Sequence, residues 1–233
     1  MEPRILAIIP AYNEEANIVS TVEDLRDHAP GVDYVVINDG SKDATGAICR
    51  ERGYNCINLP VNLGLAGGFQ TGMKYALRHG YDYAVQFDAD GQHSAAYVLP
   101  MVRHAEETGA NIVIGSRFCA QKKPFSARMM GSALITAMIR LTTGERIQDP
   151  TSGMRLFDRK MIPLFANELD YSPEPDTIAL VARNGAKVSE VQVEMRDRVA
   201  GESYLNFTKS VSYMLRVCFS ILLVQWFRKD PSR

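Results

Sequence analysis

Short apolar runs alternate with longer mixed segments along the first half of the chain. RILAII (Arg4 to Ile9), YVVIN (Tyr34 to Asn38), YAVQF (Tyr83 to Phe87) and NIVIG (Asn111 to Gly115) are brief and rich in Val and Ile. Their length and branched content predict buried strands rather than helices. Helix-like patterns lie between them, over Glu14 to His28, Asp43 to Arg52, Ala66 to His79 and Ala95 to Thr108. This alternation predicts βαβ units and a mainly parallel central sheet flanked by helices, an α/β fold. The pattern changes after Phe118. Helical patterns follow at Ala127 to Thr142 and Thr177 to Asn184, and KVSEVQVEM reads as a late strand. There is no internal repeat, low-complexity segment or interdomain linker.

The loops after the first three strands collect the polar residues: PAYNEE, DGSKDAT and DADGQH. Open parallel sheets bind ligands beyond the carboxyl ends of their strands, so three such loops outline one site. The third places Asp88 and Asp90 one residue apart where an apolar run ends. Two adjacent carboxylates repel unless a cation joins them, and all-oxygen ligation suits Mg²⁺ or Mn²⁺ rather than zinc. Gln92 adds an amide oxygen; His93 is placed either to meet phosphate or to cap the following helix. The plainer alternative for Asp88 and Asp90 is helix capping and turn chemistry. An EF-hand starting at Asp88 fails, because His93 and Leu99 stand where Gly and Glu are required. GLAGG has neither dinucleotide nor P-loop spacing.

Composition narrows the classes. A chain of 233 residues with net charge -1 carries no global signal for nucleic acid. Its four cysteines form no C-x-x-C pair and read as small buried hydrophobes in a reducing compartment. The N-terminus lacks the basic and apolar regions of a signal peptide, which predicts a cytoplasmic chain. The longest apolar run, Val217 to Phe227, is eleven residues, too short to span a bilayer as a helix.

IIPAYNEEANI, VVINDGSKDAT, NLGLAGGFQTGMKYA, VQFDADGQH and IVIGSRF occur in the order and spacing of family-2 glycosyltransferases. The set most resembles the polyprenyl-phosphate glycosyltransferases, such as dolichol-phosphate mannose synthase, from about Arg4 to Asn206. The resemblance implies a GT-A fold, a Rossmann-like nucleotide-sugar-binding domain, and Mg²⁺ or Mn²⁺. By the same resemblance Pro10, Tyr12 and Glu14 hold the nucleoside, and Asp39 contacts the base. Asp88, Asp90 and Gln92 correspond to the metal-binding positions, with Asp88 also facing the donor. Arg117 and Arg128 match basic positions facing an acceptor phosphate, where a planar guanidinium fork suits phosphate oxygens. Asp149, Ser152 and Arg155 of DPTSGMRLF line or brace the acceptor side. Arg198 and Ser203 of RVAGES belong to a loop near the donor phosphates. One departure stands out: SPEPD replaces the F-Q-x-E of lipid-phosphate mannose synthases, with Asp176 at the glutamate and Glu174 at the glutamine. Asp176 is either a general base toward a hydroxyl acceptor or a carboxylate at a helix N-terminus.

The tail, FTKSVSYMLRVCFSILLVQWFR, reads as an amphipathic helix with a narrow polar stripe of Lys209, Ser212, Arg216 and Ser220. Residues 196–233 hold seven basic and three acidic side chains, net +4. This suits an anionic lipid interface, a small membrane protein, or a sister subunit in a homo-oligomer. The expected organisation is a GT-A domain over 1–206 and a docking helix over 207–233. The expected enzyme is an inverting glycosyltransferase, peripheral at the inner membrane face. It would move sugar from a nucleotide-diphosphate sugar to polyprenyl phosphate, without nucleic-acid partners. Rival readings are transfer to a sugar hydroxyl of a lipid-linked glycan or envelope polysaccharide, a non-catalytic nucleotide-sugar-binding subunit, and a nucleotidyltransferase.

Overall fold

The computed structural model describes residues 2–120, 127–168, 172–196 and 207–223, with side chains omitted at 127–128 and 207–211. Seven strands form one sheet in the order β3-β2-β1-β4-β6-β5-β7. They are β1 (Ile5–Ala11), β2 (Val32–Asn38), β3 (Cys56–Asn58), β4 (Tyr83–Gln86), β5 (Ile112–Ser116), β6 (Arg155–Asp158) and β7 (Val188–Gln192). All pairings are parallel except those of β6, which runs antiparallel to both β4 and β5.

The two faces follow the strand period of two. Leu6 and Ile8 of β1 enter one apolar cluster, Ile5, Ala7 and Ile9 the other. Helices α1 (Ile18–His28), α2 (Thr45–Glu51) and α4 (Val98–Thr108) cover the second face. The first is covered by α3 (Gly64–His79), α5 (Ala127–Thr143), α6 (Met161–Asn167), α7 (Pro175–Arg183) and α8 (Phe207–Leu222). Helix α3 lies close to β1 at Gly72, where an added Cβ would stand 2.2 Å from Ile8 Cγ2. Only glycine admits that approach, which brings the start of α3 near the strand ends.

The expected strands and helices all appear, with shifted ends. Helix α1 starts at Ile18 rather than Glu14, because Asn13 adopts φ 57 and the Glu14 carbonyl accepts the N–H groups of Asn17 and Ile18. A short 3-10 turn, Ala95–Tyr97, precedes α4. Strands β3 and β6 and helix α6 carry no sequence pattern long enough to announce them. Helix α8 joins the core through Val217, Cys218 and Ile221, all buried. It seats beside α5 and α7 rather than standing apart from the body.

Candidate active site

The topology brings one sheet edge together. The carboxyl ends of β1, β2, β4, β5 and β7 point there, and reversed β6 begins there with Arg155 opposite Gln86 and Ile114. The lining of a cleft at this edge divides by chain order: Gln86, Asp88, Asp90, Gln92 and His93 belong to β4 and the loop after it, and Arg117, Thr151, Ser152, Gly153, Arg155, Pro173, Glu174, Met195 and Tyr213 to later segments.

The loops after β1 and β2 are laced by side chains. Ser41 Oγ accepts the Asn13 N–H at 3.0 Å, and Asn13 Oδ1 accepts the Lys42 N–H at 2.9 Å. Thr45 Oγ1 accepts the Glu14 N–H at 2.9 Å, and Glu14 Oε2 accepts from Asn17 Nδ2 at 2.8 Å. Pro10 is the penultimate residue of β1, and Tyr12 follows it, half-buried. Asp39 is buried and accepts the Leu63 N–H through Oδ1 at 2.7 Å. It therefore anchors the entry to α3 as well as facing the strand ends.

Asp88 is held from three directions. Its Oδ1 accepts from Gln86 Nε2 at 2.9 Å. Its backbone N–H donates to His93 Nδ1 at 2.9 Å, which leaves the proton of the neutral ring on Nε2, 3.6 Å from Asp88 Oδ2. A Cβ at Gly153 would stand 2.4 Å from Asp88 Oδ2, so glycine there keeps the carboxylate's space open. Asp90 Oδ1 accepts the Gln92 N–H at 3.1 Å. His93 was left between phosphate contact and capping by sequence; here it is buried and braces Asp88.

The wall from the later segments is built on ion pairing. Arg117 makes a forked bridge to Asp149, Nε to Oδ2 at 2.7 Å and Nη2 to Oδ1 at 2.8 Å. Asp149 is fully buried and in turn hangs from Glu190, whose Oε1 accepts its N–H at 2.8 Å. Ser152 is buried and donates its hydroxyl to the Gly115 carbonyl at 2.5 Å, bracing the sheet. Arg155 is also buried, donating to the carbonyls of Pro173 and of Pro150, the latter at 2.7 Å. Burial pulls its guanidinium pKa down, opposed by Tyr213, Glu174, Asp88 and Asp149 around it. Asp176 sits in the first turn of α7 and accepts the Ser220 hydroxyl at 2.5 Å. The carboxylate of SPEPD that lines the cleft is Glu174, which accepts the phenol of Tyr213. Arg128 is the second residue of α5, its side chain outside the described residues; Arg198 and Ser203 also lie outside them.

The family model described as Glycosyl transferase family 2 matches residues 6–164 of the chain, from Leu6 in β1 to Leu164 in α6. The chain belongs to glycosyl transferase family 2. This glycosyltransferase is 32% identical over 218 residues to an undecaprenyl-phosphate mannosyltransferase of Micrococcus luteus, covering 87% of this chain and 88% of that one. It is 29% identical to a polyprenol monophosphomannose synthase of Mycolicibacterium smegmatis, covering 92% and 85%. Among solved structures it is similar to glucosyl-3-phosphoglycerate synthase from Mycobacterium tuberculosis in complex with Mn²⁺, UDP-glucose and phosphoglyceric acid. The TM-score is 0.69 at 16% identity, covering 98% of this chain and 82% of that one. At that identity the likeness establishes the shared GT-A fold.

The donor chemistry at the strand mouth fits a hard divalent cation. Asp88 and Asp90 offer carboxylate oxygens, and buried Gln86 Oε1 has no hydrogen-bond partner. Among the described residues no group of three or more His, Cys, Asp or Glu forms a complete cage. Such a site suits Mg²⁺ or Mn²⁺, which accept few protein carboxylates and fill their shells with water and phosphate oxygens. Gln86, Glu174 and Tyr213 were missing from the sequence-derived site. Glu174 had a signal, its place in SPEPD; Gln86 looked like strand interior, and Tyr213 like one side of a surface helix.

Proposed function

We propose that this glycosyltransferase moves a sugar from a nucleotide-diphosphate sugar to polyprenyl phosphate at the cytoplasmic face of a membrane, with inversion. The observation that carries the reading is one cleft lined by both a carboxylate pair, Asp88 and Asp90, and a guanidinium, Arg117. The names of the two polyprenyl-phosphate relatives support the acceptor class.

In this reading Pro10, Tyr12, Glu14 and Asp39 hold the nucleoside, and Arg198 and Ser203 belong near the donor phosphates. Asp88 and Asp90, with Gln92, would hold Mg²⁺ or Mn²⁺. The bound cation supplies positive charge to the departing diphosphate. Arg117, with Arg128, would meet the acceptor phosphate; the fork to Asp149 fixes its orientation before substrate arrives. Ser152 and Arg155 act behind the acceptor wall, as braces. No general base is demanded, because a phosphate monoester loses its second proton near pH 6 and is already anionic. The acceptor oxygen then forms its bond to the anomeric carbon as the bond to the nucleotide diphosphate breaks.

No helix among the described residues is long and apolar enough to cross a membrane. Met130, Leu134 and Leu141 of α5 and Leu215, Phe219 and Leu222 of α8 are exposed apolar residues. A lipid surface is their proposed partner. The division into a body over 1–206 and a docking helix over 207–233 is kept in altered form. Helix α8 docks inward by Val217 and Ile221 and presents its other face outward.

The test is a screen of nucleotide sugars with polyprenyl phosphate in detergent. Release of nucleoside diphosphate that depends on the lipid phosphate is the expected result. Release of pyrophosphate would identify a nucleotidyltransferase instead. Turnover only with a hydroxyl-bearing lipid-linked glycan would move the acceptor to the second class.

A further inference from the structure

Helix α8 reaches the cleft. Tyr213 lines it, and its phenol donates to the carboxylate of Glu174, the residue before α7. Seven residues on, two helical turns along the same side, Ser220 donates to Asp176. The C-terminal helix thus holds both carboxylates of the SPEPD segment. Glu174 is the one that faces the cleft, where the proposed acceptor carries negative charge. Arg155 lies beneath it, buried and already donating to two backbone carbonyls.

An unrestrained carboxylate at that wall would act against a phosphate acceptor twice over. It would repel the phosphate directly, and it would compete with the phosphate for Arg117, which lines the same cleft. We propose that Tyr213 is a positioning residue for the acceptor, its hydroxyl holding Glu174 against the α8 side of the cleft and out of the phosphate's place. Burial, and next the carboxylate of Glu174, push the Tyr213 phenol well above its ordinary value, so it remains a donor throughout the physiological range. The role rests on the phosphate-acceptor reading above and extends it. It also gives SPEPD a reason: a carboxylate at 174 is tolerated where α8 supplies its partner.

The experiment uses the full chain and measures KM separately for nucleotide sugar and for polyprenyl phosphate. Tyr213→Phe keeps the ring and removes the donor. It should raise the acceptor KM about tenfold, the scale of one lost hydrogen bond to a charged group. The donor KM and the kcat should stay within about twofold. Glu174→Gln removes the charge, so Glu174→Gln alone should leave the acceptor KM at or below the wild-type value. Added to Tyr213→Phe, it should return the acceptor KM to near wild type. A defect in Tyr213→Phe that persists in the double variant, or falls equally on donor and acceptor, overturns the positioning role. So does a raised acceptor KM in Glu174→Gln alone with kcat unchanged. A collapse of kcat in Glu174→Gln has a different meaning. Glu174 would then be a general base toward a hydroxyl, and the phosphate-acceptor reading itself would fall.

Discussion

The two walls of the cleft are built by different means. The wall from β4 is flanked by the loops after β1 and β2, which likewise follow parallel strands directly, and hydrogen bonds between those two loops shape the flank. The wall from β5, β6, α7 and α8 is assembled from segments scattered over about half of the chain, and buried charge holds it: Arg117 on Asp149, and Arg155 between two carbonyls. In the first wall the Asp88 and Asp90 carboxylates rest on the amide donors of Gln86 and Gln92. In the second, the charged groups are the scaffolding. Residue types that look alike in sequence therefore carry opposite risks when changed.

The largest expected contrast is between Asp90→Ala and Arg117→Ala. Asp90 is in a loop that the sheet does not need, so its loss should cut transfer by two or more orders of magnitude, roughly, while leaving the thermal midpoint within a few degrees. Arg117→Ala leaves the fully buried carboxylate of Asp149 without its countercharge, held by the neutral donors of the residue-117 N–H and Thr151. Its expected cost is on the order of 3 kcal/mol of stability, besides weaker acceptor use. Calorimetry beside a transfer assay reads both. Equal midpoints for the two variants would erase the distinction between the walls.

A middle-sized effect concerns α8. Removal of everything after Asn206 deletes Val217 and Ile221 from the core, each worth roughly 1.5 to 3 kcal/mol of burial. That truncation should lower the midpoint and, with Tyr213 gone, disturb the cleft. Leu215→Glu with Phe219→Glu changes only the exposed face. It should preserve fold and nucleotide binding but lose flotation with anionic vesicles. Flotation unchanged in the second variant would place the lipid contact elsewhere, with Met130 and Leu134 of α5 next to be tested.

Much of the first wall was legible in the sequence, and little of the second. PAYNEE, DGSKDAT and DADGQH each follow an apolar run, so their edge of the sheet is a direct consequence of strand direction. Arg117 was legible as a cation, but not its partner, because Asp149 lies 32 residues away. The four residues of β6 are too few to show a period, and only the fold reveals that Arg155 lies beside Gln86. Helix α8 lies where the pattern predicts a helix, yet the polar stripe is divided. Ser220 turns inward to Asp176, while Ser212 and Arg216 remain exposed. Periodicity identifies a helix; it does not say which of its polar residues will find a buried partner.

The smallest effect separates the regions by pH. Burial, with Glu23 and Asp33 as the respective hydrogen-bond acceptors, pushes the phenols of Tyr54 and Tyr81 up to about 12 from an ordinary 10. Tyr213 on α8 is raised further. Each contribution is complete below pH 10. It is lost as pH rises toward the folded value, because the unfolded chain releases these protons first. Denaturation midpoints should therefore fall above pH 10, and Tyr213→Phe should make that fall shallower. An unaltered slope would mean that α8 contributes nothing to alkaline stability.

The reversed strand has a consequence for synthesis on the ribosome. Strand β5 pairs only with β6 and β7, both of which follow it in the chain. When Ser116 has just been made, β1 to β4 already have one another, but β5 has no edge to join. Its five buried residues must wait for at least another forty or so residues before β6 arrives, a few seconds at ordinary elongation rates of about 5 to 20 residues per second. The nascent protein thus completes the β1–β4 half first and carries an unpaired apolar strand until the second half emerges. That interval is where a chaperone would have the most to protect.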